Sequence, residues 1–329
     1  MIYNTFEMHQ EGSLPGAHLV TYIQEYSDAM AINDRPLILL CPGGGYTRTS
    51  DREAEPMALK FLAMGYHVAV LRYSCAPAEY PTSLKELAYS IKFLREHAKE
   101  WHIDPHKIVV EGCSAGGHLA ASLGVFWDED FLAESQGLSS SEHELLRPDG
   151  LLLCYPVITS GEFAHRGSFE NLLGSRQEEL GEKLSLEKQV TSKVPKTFLW
   201  HTFADQSVPV ENSLLFVSAL RRVGVPTEFH MYEKGAHGLA LADKLTETND
   251  GRAVQEECTS WIRLAYTWLE SLFAGDVEDG LHAQGRDGKN SKRIAIRENE
   301  NARSSHGTGR YDHSDPSFLR KSEGNAGQI

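Results

Sequence analysis

No stretch of this chain approaches the roughly 20 consecutive apolar residues that a membrane-spanning helix needs. Residues 1–7, MIYNTFE, carry neither a basic segment nor an apolar run, so no signal peptide is expected. Positive charge is scarce. Against 46 Asp and Glu stand 32 Lys and Arg, a net charge of −14, which argues against nucleic acid and anionic membrane surfaces as partners. Cysteine is scarce too: five in 329 residues, at 41, 75, 113, 154 and 258, with no C-x-x-C pair. Most lie in or beside strand-like apolar runs. They are read as free buried thiols in a reducing compartment, with no disulfide and no zinc site, and the expected location is cytoplasmic. No repeat array is visible. A 41% apolar and 24% charged composition over this length fits one large soluble α/β domain or two smaller ones.

Strand and helix patterns alternate along most of the chain. Apolar runs at 17–23, 36–41, 66–71, 107–111, 150–155, 196–201 and 228–232 are read as strands, and helical spacing occurs at 52–64, 84–101, 115–123, 212–223 and 253–273. Such alternation predicts a mostly parallel central sheet with helices on both faces. Between 159 and 194 the pattern lapses into polar, Gly- and Glu-rich sequence, read as a small insert over the top of the sheet. After residue 274 large apolar residues become rare, and nine Lys/Arg balance nine Asp/Glu. Residues 1–274 are therefore read as the folded domain and 275–329 as a disordered tail.

Within the first of these regions, Gly112-Cys113-Ser114-Ala115-Gly116 reads G-x-S-x-G between an apolar strand and a helical stretch. In that setting the motif predicts a sharp turn that exposes the serine hydroxyl at the top of a sheet. A serine activated for acyl transfer also needs oxyanion donors, a base and an acid to orient the base. Pro42-Gly43-Gly44-Gly45-Tyr46 follows a buried strand, and the backbone N–H groups of Gly44, Gly45 and Ala115 are the expected donors. Asp205 lies just past the 196–201 strand, and His237 lies in a Gly-Ala-His-Gly loop after the last strand. The order Ser114, Asp205, His237 is the one this fold predicts. Tyr46 and Arg52 are expected to bind substrate, Arg52 alternatively fixing the glycine loop or the acyl pocket. Asp51, Arg52 and Glu53 are read as the acid-rich opening of a helix. His118 is expected to pack or hydrogen-bond locally, His201 to sit in the core or behind the acid, and Trp127 to pack. No metal or cofactor is expected.

The segments CPGGGY (41–46), DREAEP (51–56), RYS (72–74), GCSAGGHLA (112–120), HRGSFENLLG (165–174), HTFADQSVPVENS (201–213) and EKGAHGLAL (233–241) resemble the bacterial acetyl esterase/lipase branch of the α/β-hydrolase superfamily. The resemblance spans about residues 17–273. One departure is Pro42, where relatives of the hormone-sensitive-lipase type carry histidine. The resemblance implies a serine esterase with Ser114 as nucleophile, Asp205 as acid and His237 as base. It also implies removal of short acyl groups, acetyl foremost, from small-molecule or oligosaccharide esters such as acetylated xylan fragments. A prolyl-oligopeptidase-like serine peptidase and a non-catalytic hydrolase-fold binding protein are the alternatives.

Overall fold

The computed structural model describes residues 1–32 and 34–274. Eight strands form one sheet: β1 (Ile2–Glu7), β2 (His18–Ile23), β3 (Arg35–Cys41), β4 (His67–Arg72), β5 (Ile103–Cys113), β6 (Gly150–Cys154), β7 (Thr197–Thr202) and β8 (Thr227–Tyr232). Their order is β1-β2-β4-β3-β5-β6-β7-β8. The β1–β2 and β2–β4 pairs are antiparallel, and every pair from β4 to β8 is parallel. The helices are α1 (Glu55–Ala63), α2 (Thr82–Glu96), α3 (Ala98–Trp101), α4 (Ala115–Phe126), α5 (Asp130–Ser135), α6 (Arg166–Leu173), α7 (Gln177–Leu180), α8 (Glu211–Val223) and α9 (Trp261–Phe273). The predicted mostly parallel, helix-covered sheet is the one observed. The 159–194 segment holds α6, α7 and short 3₁₀ turns. The 275–329 segment, expected to be a tail, lies outside the described residues. Among the described residues no helix is long and apolar enough to cross a membrane.

Helices cover both faces of the sheet, which is why β3 is a continuous apolar run. Its side chains alternate between two layers. Leu37 and Leu39 belong to the core layer that also holds Leu87 and Leu94 of α2, Leu123 of α4 and Phe216 of α8. Ile38 and Leu40 belong to the opposite layer, with Met57 and Phe61 of α1 and Trp261 and Leu269 of α9. All twelve residues of α4 are buried, so this helix has no solvent face and needs none of the amphipathic spacing of α9.

Several boundaries differ from the sequence reading. β1 was not expected, because its burial pattern is mostly exposed and it has a single sheet neighbour. The helix expected at 52 begins at Glu55, with Pro56 in its first turn, where a missing N–H costs nothing. The 84–101 stretch divides at His97 into α2 and α3. The 253–273 stretch opens with a 3₁₀ turn, Glu256–Ser260, before α9.

Beneath the central strands lies a buried carboxyl. Glu111 Oε1 accepts hydrogen bonds from the thiols of Cys113, at 3.2 Å, and Cys154, at 3.1 Å. Its Oε2 is buried without a partner. Burial raises the Glu111 pKa to about 8 from 4.5, against the opposing pull of the two thiol hydrogen bonds. Between these values the unfolded chain has lost a proton that the folded chain keeps, so raising the pH across this window favours unfolding. Glu111→Gln is therefore expected to flatten the decline of Tm between about pH 5 and pH 8 relative to wild type. Parallel Tm-against-pH curves for the two proteins would refute a neutral Glu111.

Candidate active site

The turn from β5 into α4 puts Ser114 at φ 54° and ψ −117°, a conformation few L-residues adopt. Its N–H donates to Cys154 O at 3.0 Å, which anchors the turn to the neighbouring strand β6. The close approach of α4 to β3 explains one flanking glycine: a Cβ on Gly116 would lie 1.9 Å from Cys41 O. Ser114 Oγ thereby reaches His237 Nε2 at 2.7 Å. His237 Nδ1 is 2.6 Å from Asp205 Oδ2. A carboxylate only accepts, so Nδ1 carries the proton and Nε2 is free to accept from the serine hydroxyl. The structure thus joins three residues from three separate loops in the order Ser–His–Asp.

Asp205 is held on every side. Oδ1 accepts from the N–H groups of Ser207 at 2.9 Å and Val208 at 3.0 Å. Oδ2 also faces His201 Nε2 at 3.3 Å, and that nitrogen lies 3.0 Å from Val208 O. With two acceptors in front of it, His201 Nε2 must be the donor, and Nδ1 pairs with Ser213 Oγ at 2.8 Å. Burial works against the charged form of Asp205. The hydrogen bonds from His201 and His237, the His237 charge and the Val208 N–H outweigh it, so the carboxyl titrates well below its ordinary value. His201, expected in the core or behind the acid, is fully buried and touches the acid directly.

The glycine loop lies beside this chain. Gly44 has φ 136°, and a Cβ there would meet Arg48 O at 2.1 Å, so no other residue fits. The Gly43 N–H donates to Glu53 Oε2 at 2.9 Å. Among the described residues the N–H groups of Gly44 and Gly45 meet no acceptor. Ala115 is the first residue of α4, where an N–H has no intrahelical acceptor. Gly44, Gly45 and Ala115 thus each keep a backbone N–H without a protein acceptor among the described residues.

Two of the expected substrate contacts are engaged elsewhere. Tyr46 is 3% exposed and does not line the cleft. Its hydroxyl pairs with His118 Nδ1 at 3.0 Å, and His118 Nε2 donates to Leu184 O at 2.9 Å. His118 is therefore a buried bridge from the glycine loop to the 159–194 segment, and burial lowers its pKa to about 4, keeping it neutral. Arg52 does line the cleft, but its guanidinium donates to Gly238 O at 2.8 Å, Thr246 O at 2.6 Å and Leu239 O at 3.5 Å. It clamps the backbone of the loop that carries His237. Trp127 is buried, with Nε1 donating to Lys193 O at 3.1 Å.

Sequence reasoning missed Glu53. Beyond holding Gly43, it accepts from Tyr155 Oη at 2.8 Å, and Tyr155 Oη accepts in turn from the Ala240 N–H at 2.9 Å. Tyr155 stands edge-on to His237, with centroids 5.2 Å apart. The position of Glu53 next to Arg52, ten residues past Gly43, was the only available clue. His165 and Asn171 were missed as well. Both line the cleft from the 159–194 segment, and Asn171 Nδ2 donates to Gly45 O at 2.8 Å. Among the described residues one trio with ligand-type atoms within 4.8 Å of one another is Glu111, Cys113 and Cys154, buried beneath the sheet and already hydrogen-bonded internally.

The cleft above Ser114 has a volume of about 370 Å³. Its lining is glycine plus polar residues, Thr47, Arg48, Ser50, Asn171 and Ser207 among them, with no Leu, Ile, Val, Met or Phe side chain.

The chain is similar to known proteins. The BD-FAE family model matches residues 24–220. Endo-1,4-beta-xylanase B of Butyrivibrio fibrisolvens is 38% identical over 217 residues, 64% of this chain and 33% of the relative. An acetylxylan esterase of Xylanibacter ruminicola is 27% identical over 68% of this chain and 44% of its own length. The chain thus spans a third to under half of these two relatives. Among solved structures, an acetyl ester-xyloside bifunctional hydrolase from Caldicellulosiruptor lactoaceticus is 40% identical, with a TM-score of 0.67 over 78% of this chain and 88% of that one. The carboxylesterase Cest-2923 of Lactobacillus plantarum WCFS1 is 27% identical, with a TM-score of 0.70 over 82% and 98%. With its sheet order, its strained serine turn and these relatives, the chain belongs to the BD-FAE family, within the α/β-hydrolase carboxylesterases.

Proposed function

We propose that this protein hydrolyses carboxylic esters of short acyl groups, acetyl foremost, on polyhydroxylated alcohols such as xylan-derived oligosaccharides. The observation that carries the reading is the polar lining of the cleft around the Ser114–His237–Asp205 chain. The esterases and xylan-related relatives support the substrate class. In this reading His237 Nε2 takes the Ser114 proton as Oγ attacks the ester carbonyl. Asp205, kept ionised, holds the ring and stabilises the imidazolium. The N–H groups of Gly44, Gly45 and Ala115 receive the oxyanion. His237 then gives its proton to the leaving alcohol. A water, deprotonated by the same nitrogen, cleaves the acyl-enzyme and returns Ser114 with release of the acid.

Acyl-chain length tests the reading. Each methylene that finds an apolar wall gains about 0.8 kcal/mol, and no Leu, Ile, Val, Met or Phe side chain lines this cleft. Acetate esters are expected to exceed octanoate esters in kcat/KM by at least about tenfold, and acetylated xylo-oligosaccharides are expected to be deacetylated. A maximum at eight carbons or longer, measured on p-nitrophenyl esters, would overturn it.

A further inference from the structure

His165 caps α6, and its side chain accepts a hydrogen bond from the Ser168 N–H. The nitrogen involved is Nδ1, 3.3 Å from Ser168 N and 2.8 Å from Ser168 Oγ. An amide N–H can only donate, so Nδ1 holds a lone pair and the ring proton sits on Nε2. Among the described residues that Nε2–H has no partner, and the half-buried ring lines the cleft. The ring edge faces the glycine loop, with Cε1 3.9 Å from where a Cβ on Gly45 would stand. Burial first, and then the charge of His237, lower the His165 pKa, so the neutral tautomer with its proton on Nε2 persists at neutral pH.

A fixed, unpaired donor beside the reacting serine has a restricted set of uses. The carbonyl oxygen already has the three backbone donors described above. The leaving oxygen receives its proton from His237, so the alcohol lies on the His237 side. His165 and His237 line the same cleft. We propose that His165 is a substrate-binding residue whose Nε2–H donates to a hydroxyl flanking the ester on the alcohol side, making the cleft selective for esters of polyhydroxylated alcohols. This rests on the esterase reading above and names the group that would enforce its substrate class.

The test compares two esters. In monoacetylated methyl xyloside, free hydroxyls flank the ester; phenyl acetate has none. His165→Asn keeps an acceptor for Ser168 N, since Asn is a favoured helix cap, but is too short to present a donor where Nε2 stands. The variant is expected to lose about tenfold or more in kcat/KM on the xyloside and to stay within about twofold on phenyl acetate, the effect of one substrate hydrogen bond. His165→Gln, which carries an amide N–H at similar reach, is expected to recover part of the xyloside activity. Equal losses on both esters, or no loss on the xyloside, would overturn the role of His165 while leaving Ser114-dependent hydrolysis by wild type intact. A wild-type protein inert towards both esters would overturn the esterase reading itself, and this inference with it.

Discussion

Ser114→Ala is expected to lower kcat for ester hydrolysis by about 10⁴–10⁶ while leaving the fold unchanged. The size follows from the way the residues are coupled. His237 Nε2 accepts from no group but Ser114 Oγ among the described residues, and Asp205 acts only through His237. Removing the hydroxyl leaves a base with nothing to deprotonate. Backbone donors remain and bind the carbonyl, so substrate affinity is expected to change far less than turnover. Stability should hold because the Ser114 side chain makes a single hydrogen bond, and the turn is anchored by the Ser114 N–H on Cys154 O and the Val157 N–H on Ser114 O. Activity is read with p-nitrophenyl acetate and Tm by scanning calorimetry. A Ser114→Ala protein with wild-type turnover would show the nucleophile to be another group.

The second large effect falls on folding. Gly116→Ala is expected to lower Tm by about 10 °C or more, or to prevent soluble expression, because a Cβ there would stand 1.9 Å from Cys41 O and 2.6 Å from Pro42 O. Both obstacles are backbone atoms at the end of β3, so no rotamer change relieves the clash. Either α4 must rise from the sheet, exposing a helix buried on all sides, or β3 must leave its place between β4 and β5. A loss of about 4 kcal/mol is a large part of the 5–15 kcal/mol that holds a typical domain together. Gly167→Ala serves as the control. It lies in α6, and its Cβ would have no neighbour nearer than 3.9 Å, so its Tm should match wild type. A Gly116→Ala protein with the Tm of that control would show that the turn is looser than its contacts imply.

What could be read from the chain alone was what depends on local pattern. β3, β5 and β7 are short apolar runs followed at once by small or polar residues, and the chemistry-bearing residues sit just past those ends. Ser114, Asp205 and His237 were therefore locatable from strand position and chain order, and the structure brings them within hydrogen-bonding reach of one another. What escaped depends on partners remote in sequence. Glu53 looks like an ordinary acid before a helix, and its role emerges only when Tyr155, 102 residues away, folds against it. Tyr46 follows three glycines at the cleft, yet φ 57° and the His118 hydrogen bond turn its ring into the core. His165 sits in a stretch with no periodicity to indicate which way its ring faces. β1 carries too little buried surface to leave a pattern of alternation.

The pairing of Arg52 with the His237 loop and of Glu53 with the Gly43 N–H and Tyr155 divides the cleft into parts with different freedom to change. Gly43 and Gly45 are held by Glu53 and Asn171, and the brace at 52–53 by the Gly238 carbonyl and Tyr155. Between them Thr47 and Arg48 are exposed along the rim; the Thr47 hydroxyl donates to Gly44 O at 2.8 Å, which leaves Arg48 as the side chain freer to change. Under the proposed reading, exchange at Arg48 is expected to alter which alcohols are accepted while Ser114, His237 and Asp205 keep their places.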